Sequence, residues 1–262
     1  MNNLKTVFLH NKAEIGQFLL RNTFLHLYSI GDLDDFFWEN TTWYALKHDT
    51  QIEQVALLYT GLLLPTLLAL TDETTTMANL LQSIIHLLPK QFYAHLSDGL
   101  VSVLNKDYAS EHHGLHYKMA LRNRECLKKY ATDEVIQLTI KDIDEIEELY
   151  RVSYPGNWFD SRMLETGYYY GIRRENRLVS IAGVHVYSKR YNVAALGNIT
   201  THPQFRGQGL SKHVIAKLCQ ELAAVQHIGL NVKADNAIAL RCYQQIGFEC
   251  VATYNEYSFL LQ

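Results

Sequence analysis

The decapeptide Thr201-His-Pro-Gln-Phe-Arg-Gly-Gln-Gly-Leu210 constrains this chain more than any other stretch. It places two of only fourteen glycines one residue apart, directly before a helix. Polar side chains and Pro203 mark a loop, and Leu210, Val214, Ile215, Leu218, Cys219 and Leu222 then recur at helical spacing. The first N–H groups of a helix lack intrahelical acceptors and its dipole is positive there, which suits an anion such as a phosphate. Gly207 and Gly209 let the backbone approach that anion and adopt the φ values of a tight cradle. A plain tight turn would use the same pair, so the loop alone leaves both readings open. Neither common nucleotide motif fits. A Walker loop ends in Gly-Lys-Ser/Thr, which Ser211-Lys212 reverses, and Lys212 stands where a dinucleotide fingerprint needs its third glycine.

The rest of the chain narrows the class. Its 262 residues suffice for two cores, and 48% hydrophobic with 19% charged residues is ordinary globular composition. A net charge of -3 offers no general attraction to nucleic acid or to an anionic membrane. The N-terminus is interrupted by polar residues too early for a secretion signal. The most apolar run, Leu57 to Leu70, contains Thr60, Gly61, Pro65 and Thr66 and falls short of a bilayer span, reading instead as two buried strands joined by a turn. The expectation is a soluble, cytoplasmic protein. Cys126, Cys219, Cys242 and Cys250 show neither zinc-ligand nor disulfide spacing and read as structural thiols.

The C-terminal half reads in the order β-α-β-β-β-α-β-α-β. A strand over Val135 to Ile140 precedes a helix beginning at Asp142, with Ile143, Ile146, Leu149 and Tyr150 on one face. A hairpin pattern covers Tyr168 to Arg173 and Leu178 to Tyr187, and a third strand from Val193 to Thr201 feeds the glycine loop. Ile228 to Val232 is a strand, Asn236 to Gln245 a helix stopped by Gly247, and Phe248 to Leu260 one or two closing strands.

Residues before about 128 read in a similar order. A helix near Ala13 to Leu27 precedes strands at Thr42–Lys47, Gln54–Tyr59 and Leu64–Leu70. A helix at Thr76–Leu88, a strand at Phe92–Leu96, a helix at Gly99–Lys106 and a strand at His113–Ala120 follow. The expected division is residues 1–128 and 129–262, related by structural duplication. The loops after the third strand differ: the first half has Thr71-Asp-Glu-Thr-Thr-Thr-Met77, whose carboxylates would repel a pyrophosphate. If the halves are related, only the second is expected to bind a phosphate-bearing cofactor.

The segment Gln204-Phe-Arg-Gly-Gln-Gly209 matches the Gln/Arg-x-x-Gly-x-Gly/Ala signature of the GNAT superfamily of acyl-CoA-dependent N-acyltransferases. Asn198 to Leu210 resembles its full strand-loop-helix motif, and Asn231-Val-Lys-Ala-Asp-Asn236 with Ala239, Tyr243 and Gly247-Phe248 resembles its second block. The resemblance covers residues 132 to 262. A degenerate domain before a GNAT domain also resembles the layout of glycine N-acyltransferase-like proteins, in arrangement only.

The resemblance implies an α/β (α+β) fold: a mixed, mainly antiparallel sheet flanked by helices, here in two tandem copies. It implies acetyl-CoA, or another acyl-CoA, as co-substrate. In this family the strand before the loop splays from the next and pairs with the pantetheine arm, which maps onto Ile199, Thr200 and Thr201. The pyrophosphate would rest on main-chain N–H groups of Arg206, Gly207, Gln208, Gly209 and Leu210, with Ser211 near the helix start and Gln204 opening the signature. Asn231 lies in the second block, and Asn236 matches a frequent cofactor-contacting asparagine.

Acyl transfer needs a neutral amine and a proton for the departing thiolate. Tyr243 lies where the family often places a tyrosine near the sulfur; a phenol of reference pKa about 10 could act as general acid. Its alternative role is aromatic packing. His185, in the central hairpin strand, could accept the amine proton directly or through water, and otherwise reads as a hydrogen-bonded packing residue. Glu165 is a further candidate base, or a solvated glutamate, and many family members need no dedicated base. His112-His-Gly-Leu-His116 lacks the helical geometry of a metal pair, so no metal is expected. Tyr154-Pro-Gly-Asn-Trp-Phe159 and Gly167-Tyr-Tyr-Tyr170 fall where the family builds its acceptor pocket, or else cap the core or face the first domain.

The resulting expectation is an N-acyltransferase, foremost an N-acetyltransferase, acting on a primary amine of a small molecule or peptide, without nucleic-acid or membrane partners and compatible with a homodimer. The alternative is a non-catalytic acyl-CoA-sensing or partner-binding module.

Overall fold

The computed structural model describes residues 4–61 and 63–262. The first series of elements is β1 (Leu4–Leu9), α1 (Lys12–Leu19), α2 (Leu27–Gly31), α3 (Asp35–Trp38), β2 (Thr41–His48), β3 (Gln51–Tyr59), β4 (Thr66–Ala69), α4 (Thr74–Ile84), β5 (Gln91–Leu96), α5 (Val101–Leu104) and β6 (Tyr108–Leu121). The second is β7 (Ile136–Gln137), α6 (Ile143–Ser153), β8 (Tyr170–Arg174), β9 (Arg177–Ser188), β10 (Val193–Thr201), α7 (Leu210–Glu221), β11 (His227–Lys233), α8 (Ala237–Ile246) and β12 (Phe248–Leu261). With the short helices α2 and α3 set aside, both run β-α-β-β-β-α-β-α-β.

Two compact units result. One comprises the chain up to Lys118 with Lys233–Asp235 and Val251–Gln262; the other comprises Met119–Val232 with Asn236–Cys250. In the first unit the strands lie in the order β1-β2-β3-β4-β5-β12-β6. β1 to β4 pair antiparallel, β4 pairs parallel with β5, and β5 pairs antiparallel with β12. In the second the order is β7-β8-β9-β10-β11, antiparallel as far as β10 and parallel between β10 and β11. The sheet in each unit is thus mixed and mainly antiparallel.

Helical spacing drives both cores. α4 buries Met77, Leu80, Leu81 and Ile84 against Tyr44, Leu46, Leu58 and Phe92 of the strands beneath it. The C-terminal strand joins this core through Phe259, which is 1% exposed and stacks on Phe92 at 5.0 Å between centroids. In the second unit α7 buries Leu210, Val214, Ile215, Leu218 and Cys219, the stripe visible in the sequence.

Several elements differ from the sequence reading. β1 went unread; as an edge strand paired only with β2, with most of its residues exposed, it carries no alternating apolar pattern. The helix read over Ala13 to Leu27 is broken: α1 ends at Leu19, a 3-10 turn spans Leu20–Asn22, and α2 starts at Leu27. At the break the Asn22 side chain accepts from Leu25 N–H at 3.4 Å and donates to Asp72 at 2.8 Å, so a polar side chain takes over helix-type bonding. Of the strand read over Val135 to Ile140, Ile136–Gln137 forms β7, and Leu138 N–H adds a bond to Tyr169 O at 2.8 Å. Thr139 and Asp142 form a capping box that turns the chain toward α6. The closing segment is one strand of 14 residues.

The histidines of the 112–116 segment are engaged on the sheet. His112 bonds Asn255 at 3.0 Å, His113 bonds Ser258 at 2.6 Å, and His116 lies 3.5 Å from Glu256. Among the described residues no group of three or more His, Cys, Asp or Glu has metal-binding geometry. All four cysteines are free thiols. No helix among the described residues is long and apolar enough to cross a membrane.

Candidate acyl-CoA site

The site begins where two parallel strands part. β10 follows β11 in register from Val193↔His227 to Leu196↔Leu230, and among the described residues that pairing goes no further. β10 nevertheless continues to Thr201, held only on its other side, where Gly197 faces Gly183, Thr200 faces Ile181 and Thr201 faces Ser180. Two residues, Asn198 and Ile199, therefore bulge opposite Ala182, with Asn198 at φ +54°. Fully buried Ser180 secures the strand end: its hydroxyl lies 2.9 Å from Thr201 Oγ1. The edge of β10 beyond Leu196 is thus not paired with β11, although the Thr201 carbonyl accepts from Arg206, and Asn231 lies just past the last residue of β11 that pairs with β10.

The glycine loop follows at once. His202 N–H donates to Val179 O at 2.8 Å, and its ring Nδ1 accepts from Gln204 N–H, which starts the 3-10 turn Pro203–Phe205. Gly207 and Gly209 sit at φ +79° and +80°, a region costly for any side-chain-bearing residue, and a Cβ at either would meet nothing within 4 Å. The glycines are thus required by backbone conformation, and the space above them is open. Gly209 caps α7 without a side-chain bond. Among the described residues no protein acceptor meets the N–H groups of Gly207, Gln208, Gly209, Leu210 or Ser211, the donor array an anion requires.

Arg206 plays a different part from the one the sequence reading assigns to its main chain. Its N–H donates to Pro203 O at 3.3 Å, while its guanidinium donates to Thr201 O at 3.1 Å and Ser153 O at 3.3 Å. It braces the loop. Gln204 and Gln208 are exposed on the loop surface.

α8 brings the second block alongside. Asn236 Oδ1 accepts from Ala239 N–H at 3.1 Å and caps the helix, so its Nδ2 is the part available to a ligand. Ser211 Oγ lies 3.6 Å from Cys242 Sγ, joining the first turn of α7 to α8 one residue from Tyr243. Burial pushes the Cys242 thiol up, which keeps it neutral. Tyr243 is half-buried, its ring 6.1 Å from that of Phe248.

His185, on β9, sits in a polar cluster that the sequence reading missed. Its Nε2 is 2.9 Å from Asn198 Oδ1, Asn198 Nδ2 donates to the Tyr169 hydroxyl at 2.9 Å, and Tyr169 donates to Val184 O at 3.2 Å. Tyr150 from α6 donates to Asn198 O at 2.9 Å, and Asn157 Nδ2 reaches Asn198 Oδ1 at 3.4 Å. Burial pushes the His185 pKa below its ordinary value of 6.5, with the Asn198 bond opposing, so the imidazole is neutral at pH 7. The signal for this cluster lay in strand register: His185 and Asn198 are 13 residues apart and meet only because β9 and β10 pair.

The aromatic stretches divide. Tyr169 and Tyr170 are buried, whereas Trp158 is 37% exposed and makes an edge contact with the His185 ring at 5.7 Å. Tyr168 and Tyr187 pack at 4.7 Å. Glu165 is exposed on the 3-10 turn Ser161–Thr166.

Comparison with known proteins bears on this geometry directly. Residues 133–248 match the acetyltransferase (GNAT) family. An uncharacterized protein of Mycobacterium leprae is 30% identical over 132 residues, covering 46% of this chain and 35% of its own length. A Drosophila protein of known structure is similar over 100% of this chain and 99% of its own, with a TM-score of 0.68 at 12% identity. A tandem GNAT protein from the clavulanic acid biosynthesis pathway is similar over 98% of both chains, with a TM-score of 0.59 at 12% identity. The fork of β10, the open donor array of the loop and the match over residues 133–248 converge: the C-terminal half carries a GNAT acetyltransferase domain, in a chain with the tandem GNAT fold.

Proposed function

We propose that this domain transfers an acyl group, acetyl foremost, from coenzyme A to a primary amine of a small molecule or peptide. The observation that carries the reading is the combination of an unpaired strand edge at Ile199–Thr201 with free N–H groups from Gly207 to Ser211. The edge suits the amide groups of a pantetheine arm, and the N–H array suits a pyrophosphate. In this reading Ser211, Asn231 and Asn236 are the further side chains that contact the cofactor.

In the transfer the amine nitrogen bonds the thioester carbonyl carbon and the C–S bond breaks. The amine proton passes to His185, directly or through water, and Tyr243 gives its proton to the departing thiolate. A neutral imidazole at pH 7 is in the form this role needs. Trp158, exposed beside His185, supplies an aromatic wall for the acceptor.

The test is steady-state turnover of acetyl-CoA with a panel of primary amines, run on the wild type and Tyr243→Phe. The expected result is measurable turnover, with Tyr243→Phe lowering kcat on the order of 100-fold and leaving acetyl-CoA affinity within about twofold. Equal losses in both would remove Tyr243 from the acid role. Tight acyl-CoA binding without turnover of any amine would favour a sensing module.

A further inference from the structure

We infer that Asn198 is a positioning residue for His185: it holds the imidazole in the Nε2–H tautomer, so that Nδ1 carries the lone pair that takes the amine proton. The inference rests on the base role proposed above for His185, and the test below separates the two.

The argument starts at an atom that can only accept. Val184 O is a backbone carbonyl and Met163 Sδ a thioether, neither of which can donate, so the Tyr169 hydroxyl, 3.2 Å and 3.3 Å from them, gives its proton to that pair. With that proton committed, Tyr169 accepts from Asn198, which must therefore present Nδ2 at 2.9 Å. The opposite end of the same amide is then Oδ1, 2.9 Å from His185 Nε2. An amide oxygen cannot donate, so Nε2 carries the hydrogen. A chain from one carbonyl through a phenol and an amide thus decides the tautomer of the imidazole.

The backbone holds Asn198 to this task. It occupies φ +54° in the β10 bulge, a conformation asparagine adopts more readily than most residues, and its own carbonyl is held by Tyr150. Beside it, a Cβ on Gly197 would lie 2.3 Å from the His185 ring, so the ring is seated directly on a bare backbone. The side chains that share Asn198 with His185 are uncharged, Tyr150 from α6, Tyr169 before β8 and Asn157 in the loop after α6, as is Trp158 against its ring. The carboxylate of Asp160, nearby in that loop, is committed to Arg162 at 2.9 Å. His185 therefore has a neutral hydrogen-bonding partner, which orients the ring without raising its basicity as a carboxylate would.

The deciding experiment is long-range 1H–15N NMR on the labelled full chain, with the His185 resonances identified by their loss in His185→Gln. The expected wild-type pattern is a neutral Nε2–H ring. Asn198→Asp should keep that tautomer and raise the His185 pKa by about one unit or more, because a carboxylate replaces the amide oxygen. The acidic limb of kcat/KM should move to higher pH by the same amount. Asn198→Ala should populate both tautomers and lower kcat about tenfold to a hundredfold, by analogy with losses of groups that orient ligand histidines, with KM for acetyl-CoA within about twofold. A wild-type Nδ1–H ring, or an unmoved pKa in Asn198→Asp, overturns the inference. An Nε2–H ring in a protein whose turnover ignores His185→Gln keeps the positioning and removes the base role instead.

Discussion

The two halves of the chain share one element order and part company at the end of the third strand. In the C-terminal unit β10 runs five residues past its last pairing with β11, reaching Thr201, and ends in a glycine loop. In the N-terminal unit the corresponding β4 has four residues, all paired with β5 from Thr66↔Tyr93 to Ala69↔Leu96, and Ser97 N–H adds a bond to Ala69 O at 3.1 Å. Ser97 then clasps the strand end: its hydroxyl accepts from Thr71 N–H at 2.8 Å and donates to Thr71 O at 3.0 Å. Asp72 and Glu73 follow in place of glycines, with Asp72 held by Asn22. One topology therefore serves two ends. Where backbone groups at the fork are satisfied from within, the strands close; where they are left over, the fork offers itself to a ligand.

The comparison can be broken or sharpened in order of effect. The largest concerns the core that the C-terminal strand completes. Phe259→Ala removes a fully buried ring from the N-terminal unit and should cost about 3–5 kcal/mol, read as a lowered denaturation midpoint at constant m. A loss under about 1 kcal/mol would show that β12 is dispensable to that core.

Next comes the loop of the C-terminal unit. Gly207→Ala with Gly209→Ala places two Cβ atoms at φ near +80° and should cost about 1–2 kcal/mol at each position. Calorimetry should record this as a 30-fold or greater loss of acetyl-CoA affinity, given about 1.4 kcal/mol per decade. Unchanged affinity would mean that these glycines serve the turn and not the ligand.

Ser97→Ala removes the clasp on Thr71 and leaves two part-buried backbone groups to find other partners. It should destabilise the N-terminal unit by about 1–3 kcal/mol, and hydrogen exchange at Thr71 should rise. Equal protection in both proteins would show that the strand ends close without Ser97.

The smallest effect is expected from Asp72→Asn with Glu73→Gln, within about 0.5 kcal/mol in stability. Acetyl-CoA should still bind at one site per chain. A second equivalent bound by this variant would mean that charge, and not the closed strand pair, separates the units.

Much of this was legible in advance. The α7 stripe, the glycine pair and the helix that starts at Asn236 depend on local spacing, and local spacing is what sequence displays. β1 was not legible, because an edge strand buries too little to impose a pattern. The end of β7 was hidden by Thr139 and Asp142, whose side chains bond the backbone and compete with the strand. The role of Asn198 was hidden more deeply, since its partners lie 13, 29 and 48 residues away.

By itself the sequence determined the repeated order of elements, the helix faces, and a glycine loop directly before a helix, because each follows from the period of a few neighbouring residues. Only the tertiary structure decided where β10 leaves β11, that Ser97 closes the matching point in the other unit, and that Asn198 meets His185. Those depend on strand register, and register is set by packing across the whole sheet rather than by any one stretch of chain.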